Sequence, residues 1–174
     1  MSKTRYVTVL ALLAAMASIL HVVEGWLPLL LPVPGAKLGL ANIVSLFALV
    51  ILDLKSALYV TVTRVVIGSL FGASFLGPAF LMSMGGAVLS TLAMNCVYRF
   101  FRPPFSLCGV STVGASVHNV TQVILAAFLI SSASILWYLP YLLFFAVPVG
   151  VFTGAAVGYL AGRLPQNVIN TNHK

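Results

Sequence analysis

An all-α integral membrane protein of six transmembrane helices is the fold this chain predicts, on three observations. Of its 174 residues, 61% are hydrophobic and only 6% charged. Soluble domains carry roughly 25% charged residues, so a chain this poor in charge cannot cover its surface in water. Its apolar residues fall into runs near the ~20 residues that cross a bilayer, parted by short Pro, Gly, Ser or basic breaks. Its Lys and Arg residues gather at alternate breaks, the usual mark of membrane topology.

The first span is expected over about residues 6–26, after Lys3 and Arg5. Ala15-Met16-Ala17 looks like a signal-peptidase site, but the apolar run continues to Leu31 with no polar domain after it, so a retained span is expected. Ala11, Ala15 and Ser18 give this span a small-residue face that a second helix can approach closely. Prolines 28, 32 and 34 end it, since each lacks an N–H and disfavours helix just before itself. A short second span is expected over about 40–52, ending at Asp53-Leu54-Lys55, and a third over about 56–71 with Arg64 near its middle. After a turn from Gly72 to Pro78, a fourth covers about 79–98, and Arg99, Arg102 and Pro103-Pro104 break the chain. The fifth covers about 111–130 and the sixth about 137–164, with a polar tail beyond. All six belong to a single domain.

Charge orients this arrangement. With both termini inside, the inner segments hold Lys3, Arg5, Lys55, Arg99, Arg102, Arg163 and Lys174, while the outer ones hold only Lys37. That bias places both termini in the cytoplasm. Trp26, Trp137 and Tyr138 fall at the outer boundary, and Tyr6, Tyr98 and Tyr159 at the inner one, where interfacial aromatics belong. Gly150, Gly154, Gly158 and Gly162 recur every four residues, a bare stripe that suits packing within the bundle.

Polar groups inside spans are costly and face a cavity or each other. In the stretch Pro34-Gly35-Ala36-Lys37-Leu38-Gly39-Leu40-Ala41-Asn42, irregular backbone holds Lys37 between two apolar runs. It reads either as a connecting loop with a headgroup lysine or as a loop lining a ligand cavity. Arg64 stays protonated and needs a partner, either a ligand or a structural ion pair with Glu24. His118 and Gln122, at i and i+4, share a helical face with Asn119 beside them, as ligand contacts or as interhelical hydrogen bonds. His21 with Glu24, near the end of the first span, is the weakest cluster, because boundary residues can reach water. By depth, Lys37, Asn42, Arg64, His118 and Gln122 suit one cavity open to the outside. Two cations and no obligatory carboxylate there favour an anionic or strongly hydrogen-bonding ligand.

Other classes find little support. Cys96 and Cys108 match no metal spacing or disulfide framework, and no second His or Cys stands at ligand spacing to His118. No metal or cofactor is expected. The chain has no P-loop and no Gly-x-Ser-x-Gly elbow, and its two acidic residues cannot build the aspartate clusters that diphosphate chemistry uses with Mg²⁺. Its net charge of +7 sits at span ends, which is topology rather than a nucleic-acid surface. No enzymatic role is expected.

The loop from Pro34 to Asn42, Arg64 followed by Gly68, and Gly114 through His118-Asn119 to Gln122 resemble the bacterial Gx transporter family, often labelled heptaprenyl diphosphate synthase component I. That family resembles the substrate-binding S components of energy-coupling factor (ECF) transporters. The resemblance implies a six-helix bundle with an outward cavity in the bacterial cytoplasmic membrane, binding a small molecule through Lys37, Asn42, Arg64, His118, Asn119 and Gln122. It further implies a T component and two cytoplasmic ATPases as partners, with Ala11 and Ala15 facing the T component. Two other readings stay open: a membrane subunit of a quinone- or flavin-linked redox pathway, and an accessory membrane subunit of a prenyl diphosphate synthase.

Overall fold

The computed structural model describes residues 2–26, 40–72, 75–101 and 106–164. Within them the chain forms six α-helices and a short 3-10 turn, with no strand. The helices are α1 (Lys3–Trp26), α2 (Asn42–Ile51), α3 (Leu54–Phe71), α4 (Pro78–Phe100), α5 (Leu107–Ile130) and α6 (Leu139–Arg163), the turn covering Ala133–Tyr138 before α6. Local chemistry sets several of these ends. The Asp53 carboxylate accepts the Ser56 N–H at 2.7 Å and so caps α3. Pro78 occupies the first turn of α4, where its missing N–H costs nothing. Ser131 adopts a left-handed conformation, φ 53°, that ends α5.

Among the described residues, five stretches are long and apolar enough to cross a membrane: α1, α3, α4, α5, and α6 together with its preceding turn. The expected second span, about 40–52, is the exception. At ten residues, α2 is about 15 Å long, half of a ~30 Å hydrocarbon core. It compensates by position, since eight of its ten residues are buried. The five long helices form an arc in which α1 packs on α3, α3 on α4, α4 on α5 and α5 on α6. α2 fills the middle and touches all five. The main apolar core gathers around it, with Leu46, Leu49 and Val50 meeting Leu13 and Ala17 of α1, Val60 of α3, Met94 of α4, Val110 of α5 and Val157 of α6. Outward faces carry Val7, Leu12, Leu70, Phe128, Phe144 and Phe152, all exposed, which suits lipid better than water.

Side-chain pairings fix the directions. Tyr6 and Ser56 share a 2.7 Å hydrogen bond near the starts of α1 and α3, so these run parallel. Thr61 meets Thr91 at 3.0 Å, which sets α4 against α3. Gly114 sits on Met94, and Gly150 and Gly154 sit on Thr112 and Cys108, so α5 and α6 each run antiparallel to the helix before. One end of the bundle therefore collects Lys3, Arg5, Lys55, Arg99 and Arg163, all five exposed. There Arg163 donates to the Tyr159 hydroxyl at 3.0 Å and stacks on its ring.

The glycine stripe of α6 serves unevenly. A Cβ on Gly150 or Gly154 would collide with α5 backbone, whereas at Gly158 it would make one ordinary contact and at Gly162 none within 4 Å. The upper half is thus a close helix contact within the bundle.

Candidate functional site

Arg64 lies ten residues into α3, about 15 Å from the basic end, and is 1% exposed. Its Nη2 donates to Asn42 Oδ1 at 2.5 Å. Asn42 is the first residue of α2, and Ala41 before it offers no side-chain cap, so that helix enters the cluster with its N–H groups forward. On α1, the Glu24 carboxylate lies within electrostatic reach of Arg64 and accepts the Leu40 N–H at 3.1 Å. Side chains on a helix lean toward its N-terminus, which carries the Glu24 carboxylate down from the far end of α1 toward Arg64. The His21 ring, one turn below, presses on Gly68, where a Cβ would overlap it. Glu24 and His21 are each 3% exposed.

His21 and Glu24, the weakest cluster by sequence, are therefore built into the interior. The expectation that such residues reach water fails because α1 turns this face inward: Leu13, Ala17, Ser18, His21 and Glu24 form a buried stripe with helical spacing. The ion pair of Arg64 with Glu24, one of the two readings open in the sequence, is favoured by this placement. Two donors of the cluster, Arg64 Nε and Asn42 Nδ2, are buried without a hydrogen-bond partner among the described residues. Below the cluster, Thr61 donates to Ser45 at 2.8 Å and meets Thr91, a buried hydroxyl layer joining α2, α3 and α4.

His118 sits eleven residues into α5, about 16 Å from the basic end and so level with Arg64. His118 and Gln122 pack together against Gly86 of α4, which leaves room for them by lacking a Cβ. Asn119 turns the other way, its Nδ2 donating to the Leu142 carbonyl of α6 at 2.9 Å. The three residues thus divide between α4 and α6, and Asn119 serves as interhelical glue. Depth unites Arg64, Asn42 and His118, while their neighbours differ. Lys37 lies outside the described residues.

A cavity of about 460 Å³ opens between α1 and α3, lined by Ala15, Ser18, Ile19, Val22, Ile67 and Phe71 among others. None of the expected ligand contacts lines it. Ala11 and Ala15 are both exposed on the outer face of α1, and Ala15 forms part of this groove. Cys96 and Cys108 are free thiols. Among the described residues no group of three His, Cys, Asp or Glu could hold a metal ion.

Comparison with known proteins gives one match. No curated protein and no solved structure matches the chain. The model of one protein family covers residues 13–160, all six helices among them in whole or in large part. The chain belongs to the family described as heptaprenyl diphosphate synthase component I.

Proposed function

We propose that the chain is a non-catalytic membrane subunit that binds a small molecule and works within a larger assembly, in the manner of an ECF S component. The observation that carries this reading is the cluster at mid-depth: a buried arginine and asparagine, joined to each other, each with a further donor that finds no partner among the described residues. Buried polar groups without partners are expensive, and a site that keeps them is one that expects a ligand. The acidic residues add support. Asp53 is committed to capping α3 and Glu24 lies within electrostatic reach of Arg64, which leaves no paired carboxylates for metal-assisted chemistry. The basic end of the bundle faces the cytoplasm in this reading, as the positive-inside rule directs. The exposed small residues Ala11 and Ala15 meet the T component, and two cytoplasmic ATPases supply the energy.

A second reading is favoured by the family description. As component I of a heptaprenyl diphosphate synthase, the chain is an accessory subunit that holds a catalytic partner at the membrane. Purification of the tagged chain in mild detergent, with identification of stoichiometric partners, separates the two. A transmembrane partner with two ATPases supports the uptake subunit. A soluble prenyl diphosphate synthase in their place overturns it for the accessory role, and a flavoprotein directs it to a redox assembly.

A further inference from the structure

We infer that the Arg64–Asn42 cluster takes an uncharged molecule rich in hydrogen-bond acceptors, such as a ring amide, carbonyl or heterocycle, rather than a phosphate or diphosphate. The inference rests on the ligand-binding reading above and names the chemical class of that site's ligand.

Charge decides first. Arg64 is permanently protonated, and the Glu24 carboxylate within its electrostatic reach balances it. Both are removed from water, at 1% and 3% exposed. A monoanion added to this pair leaves an uncompensated negative charge in the low-dielectric interior, and a diphosphate leaves more than one. The other basic side chains among the described residues, Lys3, Arg5, Lys55, Arg99 and Arg163, stand at the basic end of the bundle and are no counter-ions for this depth. The anionic ligand expected from the sequence rested on two cations, Lys37 and Arg64, without a carboxylate. Glu24 supplies a carboxylate that offsets Arg64, while Lys37 lies outside the described residues.

Hydrogen bonding then fixes the polarity of the contact. Arginine has no acceptor, so the Asn42 atom that faces it must be Oδ1. That bond settles the orientation of the amide and turns Nδ2 outward as a donor. Arg64 Nε is a donor as well, and both are buried and unfilled among the described residues. Every open group in this set is a donor, so the ligand contributes acceptors and needs no charge of its own.

The test compares isosteres that differ by one charge. Thermal unfolding of the detergent-purified chain is followed with 2-naphthamide, with 2-naphthoate and with inorganic diphosphate. The amide is expected to raise the melting temperature at about tenfold lower concentration than the acid, or lower still, with diphosphate inert. Asn42→Asp keeps the acceptor for Arg64 but deletes the Nδ2 donor, and should abolish the response to the amide. Glu24→Gln removes the balancing charge and should reverse the preference in favour of the acid. If the acid or diphosphate stabilises the wild-type chain as well as the amide does, and Asn42→Asp removes that effect, the site stands and the proposed ligand class falls. If no probe stabilises the chain, or stabilisation survives Asn42→Asp, the ligand-binding reading falls with it.

Discussion

A double-mutant cycle on Arg64 and Glu24 measures what holds the interior charge in place. The perturbations are Arg64→Met, Glu24→Gln and the two together. Exposed ion pairs contribute about 0–1 kcal/mol, but that figure does not apply to groups 1% and 3% exposed. Removing one member of a buried pair typically costs about 3–5 kcal/mol, because the other charge is stranded. Arg64→Met strands the Glu24 carboxylate and also loses the hydrogen bond to Asn42, which accounts for about 1.5–3 kcal/mol of that loss as a bond to a charged group. Glu24→Gln strands the guanidinium while keeping an oxygen that can accept the Leu40 N–H. In the double variant no charge is stranded, and only the loss of the Asn42 bond remains. The two single losses should therefore exceed the double loss, with a coupling energy of about 3 kcal/mol or more. Equilibrium unfolding of the purified variants in detergent, followed by circular dichroism, supplies all four corners. Additive losses would refute the pairing and return Glu24 to the boundary role that its position in the sequence suggests.

Three further outcomes are expected. Gly154→Ala drives a Cβ into the backbone of Cys108 and should cost about 1–3 kcal/mol. Gly162→Ala meets nothing and should gain up to about 1 kcal/mol of helix propensity, so unfolding data with the same sign at both sites would contradict the packing. In a background lacking Cys96 and Cys108, a membrane-impermeant thiol reagent applied outside cells should label Ser132→Cys and spare Ser106→Cys, since these flank opposite ends of α5; the inverse pattern would turn the bundle over. Ala11→Leu with Ala15→Leu places bulk on an exposed face, so it should leave the stability of the isolated chain within ~1 kcal/mol of wild type while abolishing co-purification of the membrane partner. A larger loss of stability would make that face core.

Much of this architecture is legible in the amino-acid sequence. Apolar runs and Pro-Gly breaks mark the long helices because lipid leaves the backbone no alternative to helix. Arg64, Asn42, His118, Asn119 and Gln122 stand out for the same reason, as polar groups where hydrocarbon should be. Direction is what the residues alone do not convey. Asn119 and His118 are adjacent in sequence yet serve α6 and α4, because successive residues on a helix diverge by about 100°. Glu24 reads as a boundary residue because its depth along α1 suggests water, whereas rotation about the helix axis and the lean of its side chain decide where its carboxylate goes. Its spacing from Leu13, Ala17 and His21 carries that signal, as an inward stripe visible only once the partner helix is known. The α1–α3 groove is only partly marked in the sequence: Ala15 and Ser18 belong to the small-residue face of α1, whereas Ile19, Val22, Ile67 and Phe71 are side chains of any lipid-facing helix.

The place of α2 bears on how the protein is made. A 15 Å helix does not hold itself across a bilayer as it leaves the ribosome, so α2 depends on neighbours for retention. α1 and α3 flank it early, but α5 and α6 cover it only when residues 107–163 have been synthesised. Biogenesis therefore cannot finish helix by helix in chain order; closure waits for the last span. A chain stalled or truncated before α6 leaves its centre open rather than its edge, presenting the flank of a short, incompletely covered helix to the quality-control machinery of the membrane.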